Sequence, residues 1–91
     1  MVSYRVMAWH GIPSQVKATD GTGASVSLML PAFFMQEIDR VAMAEGLVGT
    51  DEYLDAWVTS EEATREGSAQ EVAAAVAEEA GEAWRRENDR A

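Results

Sequence analysis

The sequence predicts an α+β domain: a three-stranded antiparallel sheet with two short helices packed on one face, followed by a long C-terminal helix. Three observations carry this. Residues 2–30 alternate with period two, as half-buried strands do. Beyond Pro31 the apolar residues recur with helical spacing. Ser68 and Glu71 match a capping box, in which serine and glutamate satisfy each other's backbone donors, and so open a last helical run.

In residues 2–9, Tyr4, Val6 and Ala8 point one way and Arg5, Met7 and Trp9 the other. His10-Gly11-Ile12-Pro13-Ser14 breaks this strand, and Pro13 holds Ile12 extended. Gln15 to Ala18 reads as a short second strand. Thr19-Asp20-Gly21-Thr22-Gly23 is a turn, because Asp-Gly supplies the positive φ angles of a hairpin. The third strand runs from Ala24 to Leu30, with Val26, Leu28 and Leu30 on one face and Ser25, Ser27 and Met29 on the other.

Pro31 opens the first helix, where its missing N–H costs nothing. Phe34, Ile38, Val41 and Ala42 form the buried stripe, and Gly46-Leu47 supplies a left-handed stop with an apolar residue to pack back. Thr50 caps the second helix, with Asp51 and Glu52 at its positive dipole end. Leu54, Trp57 and Val58 are its expected stripe, and it is expected to end near Ser60. Residues 61–67 are polar and weakly patterned, so they read as a linker between a core unit, 1–60, and an amphipathic helix, 68–91. That helix is expected to run to about Asn88, with Val72, Val76, Ala80, Ala83 and Trp84 inward. Gly81 weakens its interior by about 1 kcal/mol. Arg85, Arg86 and Arg90 suit its negative end. The stripe is thin, so the helix docks either on its own domain or on another chain.

Composition narrows the function. The chain has 91 residues, enough for one domain, and no cysteine, which rules out a disulfide scaffold and a thiolate site. The start lacks a basic segment followed by a long apolar run, and no stretch approaches a membrane span. The expected compartment is therefore the cytoplasm. Net charge is −9, and residues 1–60 hold seven acids against three bases while 61–91 hold nine against four. With both halves acidic, nucleic acid and anionic membranes are not expected partners.

Trp9, Ile12 to Val16, Leu30-Pro31, Ile38 to Met43 and Asp51 to Trp57 form a series whose order and spacing resemble a family of small bacterial proteins, the "virulence factor" domains. The resemblance covers about residues 3–58, and the C-terminal helix lies outside its well-matched part. Members of the family often carry an acidic residue after an arginine where this chain has His10-Gly11, a departure that argues against an essential His10. The resemblance implies no catalytic residue set. It implies an accessory piece beside larger proteins, in a setting near corrinoid- and tetrahydrofolate-dependent one-carbon methyl transfer.

No catalytic or metal site is expected from the residues themselves. His10 is the lone histidine, and neither a nucleophile nor an orienting carboxylate neighbours it in sequence. One imidazole with carboxylates is a poor zinc set. Asp51, Glu52 and Asp55 lack the alternation and the bend glycine of a calcium loop and read as a charged helix start. Gly21-Thr22-Gly23 lacks the lysine and the following helix of a phosphate loop.

The stretch from Trp9 to Val16 holds the densest chemistry. Trp9, His10, Ile12, Pro13 and Gln15, with Trp84 from the last helix, are the candidate partner-binding residues. The plainer reading makes Trp9 and Ile12 part of the sheet core, which is short of large side chains. The expected function is a non-catalytic accessory or protein-interaction domain, without a cofactor, that binds another protein or itself. The alternative is a small-molecule-binding or enzyme accessory subunit, with a site built from Trp9, His10, Gln15 and the acids of the second helix.

Overall fold

The computed structural model describes residues 1–88, so Arg90, expected at the negative end of the last helix, lies outside the described residues. Along the chain come β1 (Val2–Trp9), β2 (Ile12–Thr19), β3 (Ser25–Met29), α1 (Ala32–Ala44), α2 (Asp51–Asp55), β4 (Trp57–Thr59), β5 (Ala63–Arg65) and α3 (Ala69–Asn88). The α+β class, the antiparallel sheet and the long last helix are as expected. The sheet has five strands and not three, in the order β3–β2–β1–β4, with β5 also paired to β1.

The two additional strands share one edge. β4 pairs with Met7 to Trp9 and β5 with Val2 to Tyr4, forming an interrupted lane along β1. Ser60 bridges the interruption. Its N–H donates to the Val6 carbonyl at 2.8 Å, and its hydroxyl accepts from the Val6 N–H at 2.9 Å. A side-chain oxygen thus replaces a ladder carbonyl, and the Val6 donor stays satisfied. The second helix accordingly ends at Asp55, not near Ser60, because aromatic and β-branched Trp57, Val58 and Thr59 pair with β1. Leu54 and Val58, expected on a helical stripe, are exposed. The stretch expected as a linker carries β5, held in place through its pairing and through the ion pair of Arg65 with Glu79 of α3.

β2 is longer than its sequence pattern suggests. His10 and Gly11, at φ 49° and 79°, make a two-residue turn between Trp9 and Ile12, which face each other across the ladder. A register shift beside Met7 and Ala8 pairs them with Gln15 and Pro13 and leaves Ser14 over as a bulge. Pro13 fits this otherwise central strand because β3 ends its pairing at Gln15, short of the proline.

Local signals set the helix ends. Gly46 N–H donates to Met43 and Leu47 N–H to Ala42, the two bonds of a glycine-terminated helix. Thr50 Oγ1 accepts from Tyr53 N–H at 3.3 Å. Ser68 and Glu71 exchange bonds at 3.1 and 3.2 Å, so the capping box forms. Pro31 stands one residue before α1 as its extended cap.

α3 lies across β1, β2 and β3, and α1 crosses β2, while α2 sits against β4. The long helix, and not a pair of short ones, therefore covers most of the apolar face. That face comprises Val2 and Val6 of β1 with Val16 and Ala18 of β2, covered by buried Val72, Ala73 and Val76. The opposite face, with Arg5, Lys17, Ser27 and Met29, is exposed. On α3, Ala83 is exposed and buried Gly81 takes an inward place.

Gly81 is where α1 approaches α3. A Cβ there would lie 3.2 Å from Cζ of the buried Phe34 ring and 3.6 Å from Leu30. The helix-weakening glycine is therefore the residue that lets the aromatic ring close against the backbone. Gly81→Leu is expected to lower stability by about 1–3 kcal/mol through overpacking. Urea denaturation checks this; a variant as stable as the parent would mean that Phe34 yields freely.

Candidate functional site

The candidate residues of the first hairpin part into two groups. Trp9 is fully buried: its indole N–H donates to the Tyr53 carbonyl at 2.8 Å, and its ring lies 5.4 Å from that of Tyr53. Trp57 faces it across the ladder and meets Tyr53 edge-on. A buried indole needs a partner for its N–H, and the first turn of α2 supplies one. Trp9 belongs to the core and presents no docking surface. Pro13 is buried as well, in a depression it shares with Ala80, Ala83 and Trp84. Gln15 sits in the ladder between Met7 and Met29, away from these residues.

His10, Ile12 and Trp84 do come together. They line a cleft of about 490 Å³ where the β1–β2 turn meets α1 and the end of α3. Glu37, Arg40 and Val41 of α1, with Glu45 just past its end, form its second wall, with Glu87 and Asn88 closing it from α3. Glu37 and Arg40 are joined at 2.8 Å, and the guanidinium holds the Glu37 carboxyl below its usual 4.5. That pair sits one helical turn apart, on the face next to the buried stripe. Phe33 continues the surface. It is 42% exposed, lies 5.7 Å from the Trp84 ring, and has the Arg85 guanidinium over its face. Asn88 Nδ2 donates to the Trp84 carbonyl at 2.8 Å and fixes the end of the helix beside the cleft.

Sequence reasoning found the hairpin side of this cleft and Trp84, and missed the α1 wall. Glu37 and Arg40 read as decoration because a charged pair on a helix usually faces water. Phe33 lies beside the Phe34 stripe, and its adjacency to a second phenylalanine was the available signal.

The cleft presents aromatic and charged side chains together. His10 is exposed, and its ring rests on Trp9 with centroids 4.4 Å apart. None of the hydrogen bonds among the described residues gives that imidazole an orienting carboxylate. The acids of α2 and Gln15 do not line the cleft, although the end of α2 lies beside the turn, with His10 N–H donating to the Ala56 carbonyl at 3.4 Å. Among the described residues no three histidine or carboxylate groups converge as metal ligands, and no helix is long and apolar enough to cross a membrane.

A family model described as "Virulence factor" matches residues 7–88. The chain belongs to this family. The match runs through α3, beyond the stretch from which the resemblance was read, so the long helix is part of what defines a Virulence factor domain. Both walls of the cleft, hairpin and helices alike, fall inside the matched region. No curated protein and no solved structure matches the chain.

The turn of this Virulence factor domain places His10 in the left-handed region, at φ 49°. Histidine, asparagine and aspartate enter that region more readily than other side chains, and branched ones rarely do. His10→Asn is expected to leave stability within about 0.5 kcal/mol, and His10→Val to cost about 1–2 kcal/mol. Thermal melts of the two variants check this; equal melting temperatures would contradict it.

Proposed function

We propose that this Virulence factor domain is a non-catalytic interaction module of a bacterial cytoplasmic protein system, and that it docks a protein partner at the junction of the β1–β2 turn, α1 and α3. The observation that carries this reading is the aromatic surface of exposed Phe33 and half-buried Trp84, continuous with His10 and the Glu37–Arg40 pair. Interfaces favour aromatic and arginine side chains over a polar rim. The surface offers that combination: Phe33 and Trp84 in the middle, with Arg40, Arg85 and the surrounding carboxylates at the rim. Trp9 and Pro13 act beneath it as support, and Gln15 takes no part.

A second reading rests on the cleft itself. At about 490 Å³ it falls within the usual size of small-molecule sites. With Glu37 paired to Arg40 and Glu45 beside them, it would favour a ligand carrying positive charge. This is the accessory-subunit alternative, and the one-carbon setting implied by the family resemblance would attach to it.

Two variants separate these readings. Phe33→Glu alters the exposed surface, and Trp84→Leu alters the half-buried ring that lines the cleft. Capture on immobilised domain from the native cytoplasm, read by mass spectrometry, is expected to recover one stoichiometric partner with the parent. Phe33→Glu should reduce recovery at least about tenfold, since an interface anchor contributes roughly 2 kcal/mol or more. Equal recovery by both proteins would remove the junction as the docking site. A metabolite that raises the melting temperature of the parent, and not that of a variant with Trp84 replaced by leucine, would favour the second reading.

A further inference from the structure

The two edges of the sheet are managed differently. The β4–β5 edge consists of strands of three residues each, interrupted at Ser60 and flanked by Glu61 and Glu62. Short strands, breaks and charges are the devices that stop one sheet edge from pairing with another. The β3 edge has none of them. Ala24 to Leu30 contains no charged residue, no proline and no bulge, in a chain that is 25% charged. β3 ends the sheet order, and no strand lies beyond it among the described residues.

The backbone directions on β3 follow from its two ends. The Ala24 carbonyl accepts from Asp20 N–H at 3.0 Å, and Leu30 N–H donates to the Ser14 carbonyl at 2.9 Å. Both even-numbered residues thus turn their backbone groups toward β2. In an antiparallel ladder this alternates along the strand. Val26 and Leu28 bond inward in the same way, and the N–H and C=O of Ser25, Ser27 and Met29 point out of the sheet. These are also the residues whose side chains lie on the exposed sheet face, and Met29 is 64% exposed.

We infer that β3 is a self-association edge, which pairs antiparallel with β3 of a second copy about a two-fold axis at Ser27. In this register Ser27 exchanges both bonds with Ser27 of the partner subunit. Ser25 does so with Met29 of the partner subunit, and Met29 with the partner's Ser25. All six outward groups are satisfied at once, so the strand is complementary to itself and the interface closes as a dimer. The half-buried Val26 and Leu28 at the rim beneath α3 gain cover from the same residues of the second copy.

Net charge opposes association, and its local distribution decides how strongly. The acids beside this edge are Asp20 at its Ser25 end, whose carboxylate accepts from the Ala24 N–H at 3.1 Å, and Glu78 and Glu82 of α3, which with Arg85 line a groove at the Met29–Leu30 end. Antiparallel pairing sets that end beside Ser25 of the partner subunit. Glu78 and Glu82 of the two copies then stand roughly 14 Å or more apart along the strand, beyond the screening length of about 8 Å in physiological salt, while the partner's Asp20 comes to that same end, so the dimer is expected to tighten as salt is raised. Lys17 is the nearest cation on the open face, paired with Ser27 in the ladder. This surface is separate from the cleft at the turn, so the dimer leaves both copies of that cleft open.

Residue-resolved amide hydrogen exchange on the full chain, over a concentration series, tests the inference. The amides of Ser25, Ser27 and Met29 are expected to exchange about tenfold slower or more as concentration rises, while those of Val26 and Leu28 stay protected throughout. Light scattering should move from the 9.9 kDa of one chain toward twice that mass. Ser27→Pro removes an outward donor and no bond to β2, and is expected to return a folded monomer. Three results would overturn the proposal: concentration-independent fast exchange at those three amides, a monomer at about 1 mM protein, or a dimer that persists in folded Ser27→Pro. The exchange measurement needs no variant, so misfolding of Ser27→Pro does not shield the proposal.

Discussion

The buried indole of Trp9 ties together parts of the chain that nothing local would bring into contact. Its ring fills the space at the end of the first hairpin, and its N–H reaches the Tyr53 carbonyl in α2. The residues immediately after α2 then lie beside β1, with Trp57 opposite Trp9. One side chain thereby fixes the register of β4, and through Ser60 and β5 that of the whole outer lane. In a small domain, where apolar burial is limited, a side chain that both fills volume and satisfies its own polar atom contributes twice.

The second constraint is the small-residue face of α3. Ala69, Ala73 and Gly81 are buried alongside two valines, so the helix backbone sits close to the sheet and to α1. Close approach gives dispersion contacts to groups that bring little area of their own. It also brings Trp84 over Phe34, with the rings 5.5 Å apart, and leaves Phe33 outside. The exposed aromatic surface thus follows from core packing: the helix is held close where it is smallest, and its one large residue falls at the margin.

What could be read from the sequence was what local chemistry decides. The Asp20 turn forms where expected but not through the φ angles of Asp20-Gly21: Gly23 takes the left-handed place at φ 91°, and the Asp20 carboxylate accepts from Thr22 and Ala24 backbone N–H groups two and four residues on. Hydrogen bonds to these neighbours hold its pKa below the ordinary value, with the Thr22 hydroxyl as the largest influence. Gly46, Thr50 and the Ser68–Glu71 box likewise end or start helices through bonds spanning a few residues. β4 and β5 escaped because strands of three residues carry too little pattern, and their pairing with β1 spans 48 to 63 positions. In the cleft, His10, Ile12 and Trp84 were legible as chemistry without a place. The α1 wall was not, since the Glu37–Arg40 pair acquires meaning only when α3 arrives beside it. Trp9 shows the reverse: rich in interface chemistry by composition, it is consumed by folding.

The central claim is that Trp9 acts as an internal strut beneath the proposed recognition surface. Denaturant unfolding of Trp9→Ala, followed by far-ultraviolet circular dichroism, tests this most directly. Removing a buried aromatic of this size should cost about 3–5 kcal/mol, a large part of the roughly 5–15 kcal/mol by which such domains are stable, so the cooperative transition should collapse toward zero denaturant. A Trp9→Ala protein that unfolds cooperatively at the parent's midpoint would contradict the account and return Trp9 to the surface.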